Sequence, residues 1–112
     1  MDQKLIGKTT IAPEVLVSIA QLSTLGVEGV CRLTAGPRDV NTLFKKGLAE
    51  GINIYVENNV VFADIYVVLK HDVVVREVAK NIQNQVSRSI EEMVGLEIGQ
   101  VNVHIEDIDN NC

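Results

Sequence analysis

Apolar and polar positions alternate with period two from Ile52 to Leu69, the mark of extended strands, and the alternation breaks once, at Asn58-Asn59. A two-residue type I′ turn needs positive φ at both central positions, which Asn tolerates better than any residue except Gly. Folded there, the chain pairs Glu57 with Val60, Val56 with Val61 and Tyr55 with Phe62. Ile52, Ile54, Val56, Val61, Ala63, Ile65, Val67 and Leu69 then share one face, which is the predicted core face. The other face holds Asn53, Tyr55, Glu57, Val60, Phe62, Asp64, Tyr66 and Val68, so it too is rich in apolar and aromatic side chains.

Elsewhere the period is helical. Pro13 suits a first helical position and Glu14 favours the positive end of the helix dipole. Val15, Leu16, Ile19, Ala20 and Leu22 recur at helical spacing, and Gly26 is a natural stop. A second helix is predicted from Asp72 as N-cap to Gly95, with Val75, Ala79, Ile82, Val86, Ile90 and Met93 as its apolar stripe, widened by Val78 and Val94. Its ~22 residues would span about 33 Å. Val27 to Leu33 reads as a strand weakened by Gly29. After the Gly36-Pro37 turn, Asp39 can cap a short helix carrying Val40, Leu43, Phe44, Gly47 and Leu48, with a loop as the alternative. A last strand turns Val101, Val103 and Ile105 inward and Asn102, His104 and Glu106 outward, and the acidic tail after it is expected to fray.

These elements predict one α+β domain over residues 1–112. It is a two-layer sandwich of about four strands in a mixed sheet, with both amphipathic helices on one face and the other uncovered. If the long helix joins parallel strands, the crossover should be right-handed.

Composition narrows the function. Hydrophobic residues make up 46% of the chain, enough for a packed interior, and the net charge is −5. That acidity opposes general nucleic-acid binding, which rests on neutralising phosphates. No stretch approaches the roughly 18 apolar residues of a membrane span, and the first ten residues lack the apolar core of a secretory signal. Cys31 and Cys112 show neither metal spacing nor a disulfide framework. They predict a buried small hydrophobe and a free tail thiol in a cytoplasmic protein.

No nucleophile elbow or Gly-rich phosphate loop is present. The adjacent His71 and Asp72 read as a solvated turn and a cap, since neighbouring residues at a helix start do not face each other. Neither a catalytic residue, a metal site nor a cofactor is expected. Arg38, Phe44, Lys45 and Lys46 form a candidate contact for an anionic ligand or membrane surface, set against a plain solvated face over a packed Phe44. Tyr55, Phe62, Tyr66, Val68 and His104 form a candidate partner interface, because exposed aromatics anchor protein contacts. The alternative is that the N-terminal segment, Leu5 and Ile6 included, covers that face.

The chain also resembles a known family. "GKTTIAPEVLVSIAQLSTLGVEGV", "GINIYVENNVVFADIYVVL" and "VREVAKNIQNQVSRSIEEMVGLEIGQVNVHIEDI" follow the pattern of the bacterial alkaline shock proteins. The matching positions are Val78-Ala79, Ile82-Gln83, Val86, Glu92-Met93, Gly95-Leu96 and Val101-Asn102-Val103. His71-Asp72 departs from the family's usual Tyr-Gly, and Val94 from its usual Thr. The resemblance implies a small cytoplasmic domain without known enzyme activity, linked to alkaline or cell-envelope stress. It also implies a homo-oligomer or a membrane-anchored protein partner. A regulator of membrane lipid metabolism working through residues 38–46 is the alternative.

Overall fold

The computed structural model describes residues 10–36 and 48–112. In chain order these form α1 (Pro13–Leu25), β1 (Val30–Leu33), β2 (Leu48–Ala49), β3 (Ile52–Glu57), β4 (Val60–Lys70), α2 (Val75–Val94) and β5 (Glu97–Asp109). The hairpin forms as the alternation requires. Asn58 and Asn59 adopt φ of 54° and 66°, and the register joins Glu57 to Val60, Val56 to Val61 and Tyr55 to Phe62.

β4 occupies the middle of the sheet, and two strands share one of its edges end to end. β3 pairs antiparallel with residues 60–65 and β1 with residues 67–69. The two abut at Tyr66, whose N–H donates to the Gly51 carbonyl at 2.9 Å while its carbonyl accepts from the Thr34 N–H at 3.0 Å. Gly51 has a φ of 81°, and a Cβ there would lie 2.8 Å from Leu33 Cβ, so only glycine fits this junction. β5 runs parallel along the other edge of β4, from Val60 opposite Glu97 to Lys70 opposite Asp109. Parallel neighbours need a long connection, and α2 supplies it. With the two-residue β2 outside β3, the described residues form a five-stranded mixed sheet.

Both helices cover the same face. The hydrophobic core unites Leu16, Ile19 and Ala20 of α1 and Ile82, Val86 and Ile90 of α2 with Ile52, Ile54, Val61, Ala63, Ile65, Val67, Leu69 and Val101 of the sheet. Every one of those sheet residues has the parity predicted to point inward. Val56 has it too but is 44% exposed, because the hairpin tip reaches past the packed core.

The helices themselves correct several expectations. α1 buries Leu16, Val17, Ile19, Ala20 and Thr24, while Val15 and Leu22 face solvent, Leu22 at 73% exposure. This helix is apolar on nearly every side, so period alone does not select its inner stripe. α2 buries Val78, Ile82, Val86 and Ile90, a strict i+4 row, and leaves Met93 71% exposed. It has 20 residues, about 30 Å. Asp72 does not cap it: the cap position is Val74, without a side-chain bond, and Asp72 sits in the preceding turn at a φ of 64°. The tail is not frayed, since β5 continues to Asp109. The short helix expected over residues 39–48 lies outside the described residues except for Leu48, which begins β2.

This packing yields a direct test. Ile82→Ala, at 0% exposure, should lower unfolding free energy by about 2–5 kcal/mol. Met93→Ala should change it by less than about 0.5 kcal/mol. Urea titrations of the two variants measure both, and equal losses would mean the i+4 row is not the core stripe.

Candidate functional site

On the sheet face turned away from the helices, the parallel pairing of β4 and β5 sets Phe62 beside Gln100, Asp64 beside Asn102, and Tyr66 beside His104. A line of contacts follows from that register. Tyr55 stacks on Phe62 with ring centroids 5.0 Å apart and planes 13° from parallel. Next along β4, Asp64 Oδ1 accepts from Asn102 Nδ2 at 3.1 Å and lies 3.0 Å from His104 Nε2. The His104 ring in turn stacks on Tyr66 at 4.4 Å and 12°. The face thus carries two aromatic stacks, and between them along β4 a carboxylate that holds an amide and the imidazole of the second stack.

Two glycines admit the rings. Gly99 is the extra residue of a bulge in β5, and a Cβ on it would come within 2.7 Å of both the Phe62 ring and Val60. Gly36 lies against Tyr66, where a Cβ would stand 2.7 Å from the phenol ring. Desolvation, and after it the nearby charges of Asp64 and Glu106, push the Tyr66 hydroxyl above its ordinary value of 10.0. Tyr66 is therefore a neutral donor at any physiological pH.

Of the candidate interface residues, Tyr55, Phe62, Tyr66 and His104 share this surface. Tyr55 is 51% exposed, and the other three are half-buried, Phe62 against Tyr55 and Tyr66 against His104. Val68 differs: it is only 3% exposed, yet it does not belong to the hydrophobic core. Its strand neighbours are Arg32 on β1 and Asp107 on β5. Arg32 Nη1 reaches Asp109 Oδ2 at 2.7 Å. Because β1 and β5 flank β4 on opposite edges, this ion pair spans β4 at the level of Val68.

The disulfide between Cys31 and Cys112 spans it as well, across 81 residues of sequence. The expectation of one buried and one free thiol is therefore wrong. Cys31 is half-buried beside the β1 bulge and Cys112 is exposed. Only tertiary folding brings them together, so no local signal marked the pair. Closing a loop of that length removes unfolded-chain entropy worth about 4.5 kcal/mol. The Arg32 hydrogen bond, then the Asn111 backbone N–H, hold the Asp109 carboxyl below its ordinary value of 3.8.

The remaining sequence candidates contribute less. Arg38, Phe44, Lys45 and Lys46, and the possible covering residues Leu5 and Ile6, lie outside the described residues. His71 and Asp72 do face each other, Nδ1 to Oδ2 at 3.1 Å, because the left-handed turn at Asp72 brings them together, but both are exposed. Among the described residues no three His, Cys, Asp or Glu converge to hold a metal ion, and no helix is long and apolar enough to cross a membrane. A second exposed apolar stripe, Val15, Leu22 and Leu25, runs along α1 on the helical layer.

Fold and surface together define a small two-layer α+β domain that displays a stacked aromatic sheet face. The model of the alkaline shock protein family, described as having a cell envelope-related function, matches residues 1–110, and the chain belongs to that family. The resemblance visible in the sequence motifs is thereby confirmed. The Streptococcus pyogenes serotype M6 uncharacterized protein Spy1535 is 36% identical over 96% of this chain and 84% of its own length. The Bacillus subtilis uncharacterized protein YqhY is 28% identical over 89% of this chain and 76% of its own. Among solved structures, MamM CTD M250L superposes with a TM-score of 0.53 at 14% identity, over 84% of this chain and 95% of that one. MamM-CTD 215-293 gives a TM-score of 0.52 at 14% identity, over 84% of this chain and 96% of that one. These likenesses establish the fold.

Two outcomes follow from the site. Gly99→Ala should displace Phe62 and lower stability by about 1–3 kcal/mol, read as a lower thermal midpoint together with loss of ring-current shifts on Tyr55. Asp109 contributes stability at pH above 3.8 and loses that contribution as pH falls through its depressed folded value. Its Cγ resonance should titrate with a midpoint under 3.8, and Arg32→Gln should move that midpoint upward.

Proposed function

We propose that this protein is a non-enzymatic interaction domain serving the cell envelope, which docks a protein partner on the Tyr55–Phe62 end of its open sheet face. The observation that carries the reading is Tyr55 itself. It is stacked on Phe62 at 5.0 Å yet half exposed. A ring already held in place has little rotamer freedom left to lose on binding, which is what an interface anchor requires.

Charge argues for the kind of partner. Glu57 and Glu97 flank Val60 in the strand register, and Glu106 lies close enough to act on Tyr66. This acidic border repels a second copy of the same face and attracts an apolar segment flanked by Lys or Arg. Segments of that composition adjoin membrane anchors on the cytoplasmic side, so a membrane-anchored protein fits both the surface and the family's described role. The domain then works in the cytoplasm, peripheral to the membrane through that partner. The lipid-responsive alternative depends on residues 38–46 and gains no support from the described residues.

A labelled peptide of apolar residues flanked by lysines, followed by fluorescence anisotropy, tests the reading. Binding should saturate, weaken with salt, and fall at least tenfold with Tyr55→Glu while Tyr55→Phe retains it. No loss with Tyr55→Glu would overturn the assignment. Light scattering separates the other occupants. A dimer abolished by Tyr55→Glu, without peptide binding, would replace the partner with a second copy. A dimer abolished only by Leu22→Lys would move the interface to α1.

A further inference from the structure

We propose that the Cys31–Cys112 disulfide is a thiol–disulfide exchange site for a dithiol reductant, and that its opening frees the carboxyl-terminal end of β5 while the core stays closed. Its two sulfurs are not equivalent. Cys112 is exposed, whereas Cys31 is half-buried at β1's bulge, with Arg32 Nη1 3.3 Å from its Sγ. An incoming thiolate therefore has access to Cys112, and a guanidinium stands beside the sulfur that must leave.

A thiolate of the dithiol attacks Cys112 Sγ and forms a mixed disulfide. The Cys31–Cys112 bond breaks, and its electron pair departs on Cys31 Sγ as a thiolate beside Arg32. The second thiol of the reductant, as thiolate, then attacks its partner sulfur in the mixed disulfide and releases the Cys112 thiolate. The protein gains two electrons, the dithiol is oxidised to a disulfide, and its two protons end on the two cysteines. A disulfide of the same class drives the reverse.

What opens is limited by the packing. Beyond Ile105 the chain contributes nothing to the hydrophobic core or to the apolar residues packed against it. Residues 106–112 are held by the ladder to β4, by the Arg32–Asp109 ion pair and by the disulfide. Beside them in the ladder, opposite Asp107, is Val68, the one buried hydrophobic among the described residues that stands outside the core. Release therefore uncovers Val68 and takes the Asp109 carboxylate away from Arg32, which is already exposed, adding apolar area and an unpaired cation to the open face. The consequence for docking rests on the function proposed above. The exchange and the release do not, and they are measured without any partner.

The full chain, equilibrated in reduced and oxidised dithiothreitol, trapped with iodoacetamide and weighed, reports the two-electron step. Amide exchange read by mass spectrometry reports the release. Reduction should speed exchange over residues 106–112 at least tenfold and leave the 52–69 hairpin and α2 protected. Cys112→Ser should show the same pattern without reductant. Arg32→Gln should slow reduction about tenfold at fixed pH, Arg32→Lys should restore part of the rate, and Asp109→Asn, which breaks the ion pair but keeps the guanidinium, should not slow it. Three results would overturn the proposal: the hairpin and α2 losing protection together with the tail, equal tail exchange in both redox states, or free thiols that persist in oxidised buffer.

Discussion

The interior of the sheet depends on one strand. β4 is hydrogen-bonded along both edges, and Val61, Ile65, Val67 and Leu69 on its inner face are fully buried. Because side chains alternate with period two, a slip of one residue would carry that whole set outward and drive Asp64 and Tyr66 into the core. The two positive-φ asparagines at the hairpin turn prevent the slip. So do the close contacts at Gly51 and Gly99, which fix where β3 begins and where β5 bulges. Everything displayed on the outer face inherits its position from this register.

The outer face is ordered in a different way from the inner one. Inside, branched aliphatic side chains fill space at close packing and their identities are exchangeable within volume limits. Outside, directional contacts dominate: two ring stacks, a carboxylate shared by an amide and an imidazole, and an ion pair stretched over Val68. Such contacts are individually small in water. Their effect is to limit the freedom of Tyr55, Phe62 and Tyr66, so the surface is preorganised without being sealed. That is a property of a docking surface more than of a reaction centre.

Membership of the alkaline shock protein family and the likeness to the MamM CTD domain bear on different questions. The first covers residues 1–110 and carries a described relation to the cell envelope. The second, at 14% identity, speaks of architecture alone. Two helices on one side of a mixed sheet can be reached from very different sequences, since the requirement is only one apolar stripe per helix and one apolar sheet face.

Local chemistry in the sequence determined the hairpin turn, its register, the parity of both strands and the existence of the two long helices. Each of these depends on residues within a few positions of one another, where period and turn preference act directly. It also placed Tyr55, Phe62, Tyr66 and His104 on one face. The helix faces were only partly legible, because α1 is apolar nearly all round and Met93 lies one step off the buried row of α2. The tertiary structure alone decided the rest: β1 and β3 sharing one edge of β4, the acidic tail becoming a strand, and Arg32 meeting Asp109 at a separation of 77 residues. Cys31 and Cys112 are 81 residues apart, and no spacing rule links them. They meet because β1 and β5 both pair with β4, one on each edge, and only the completed sheet brings Cys31 and Cys112 within bonding distance.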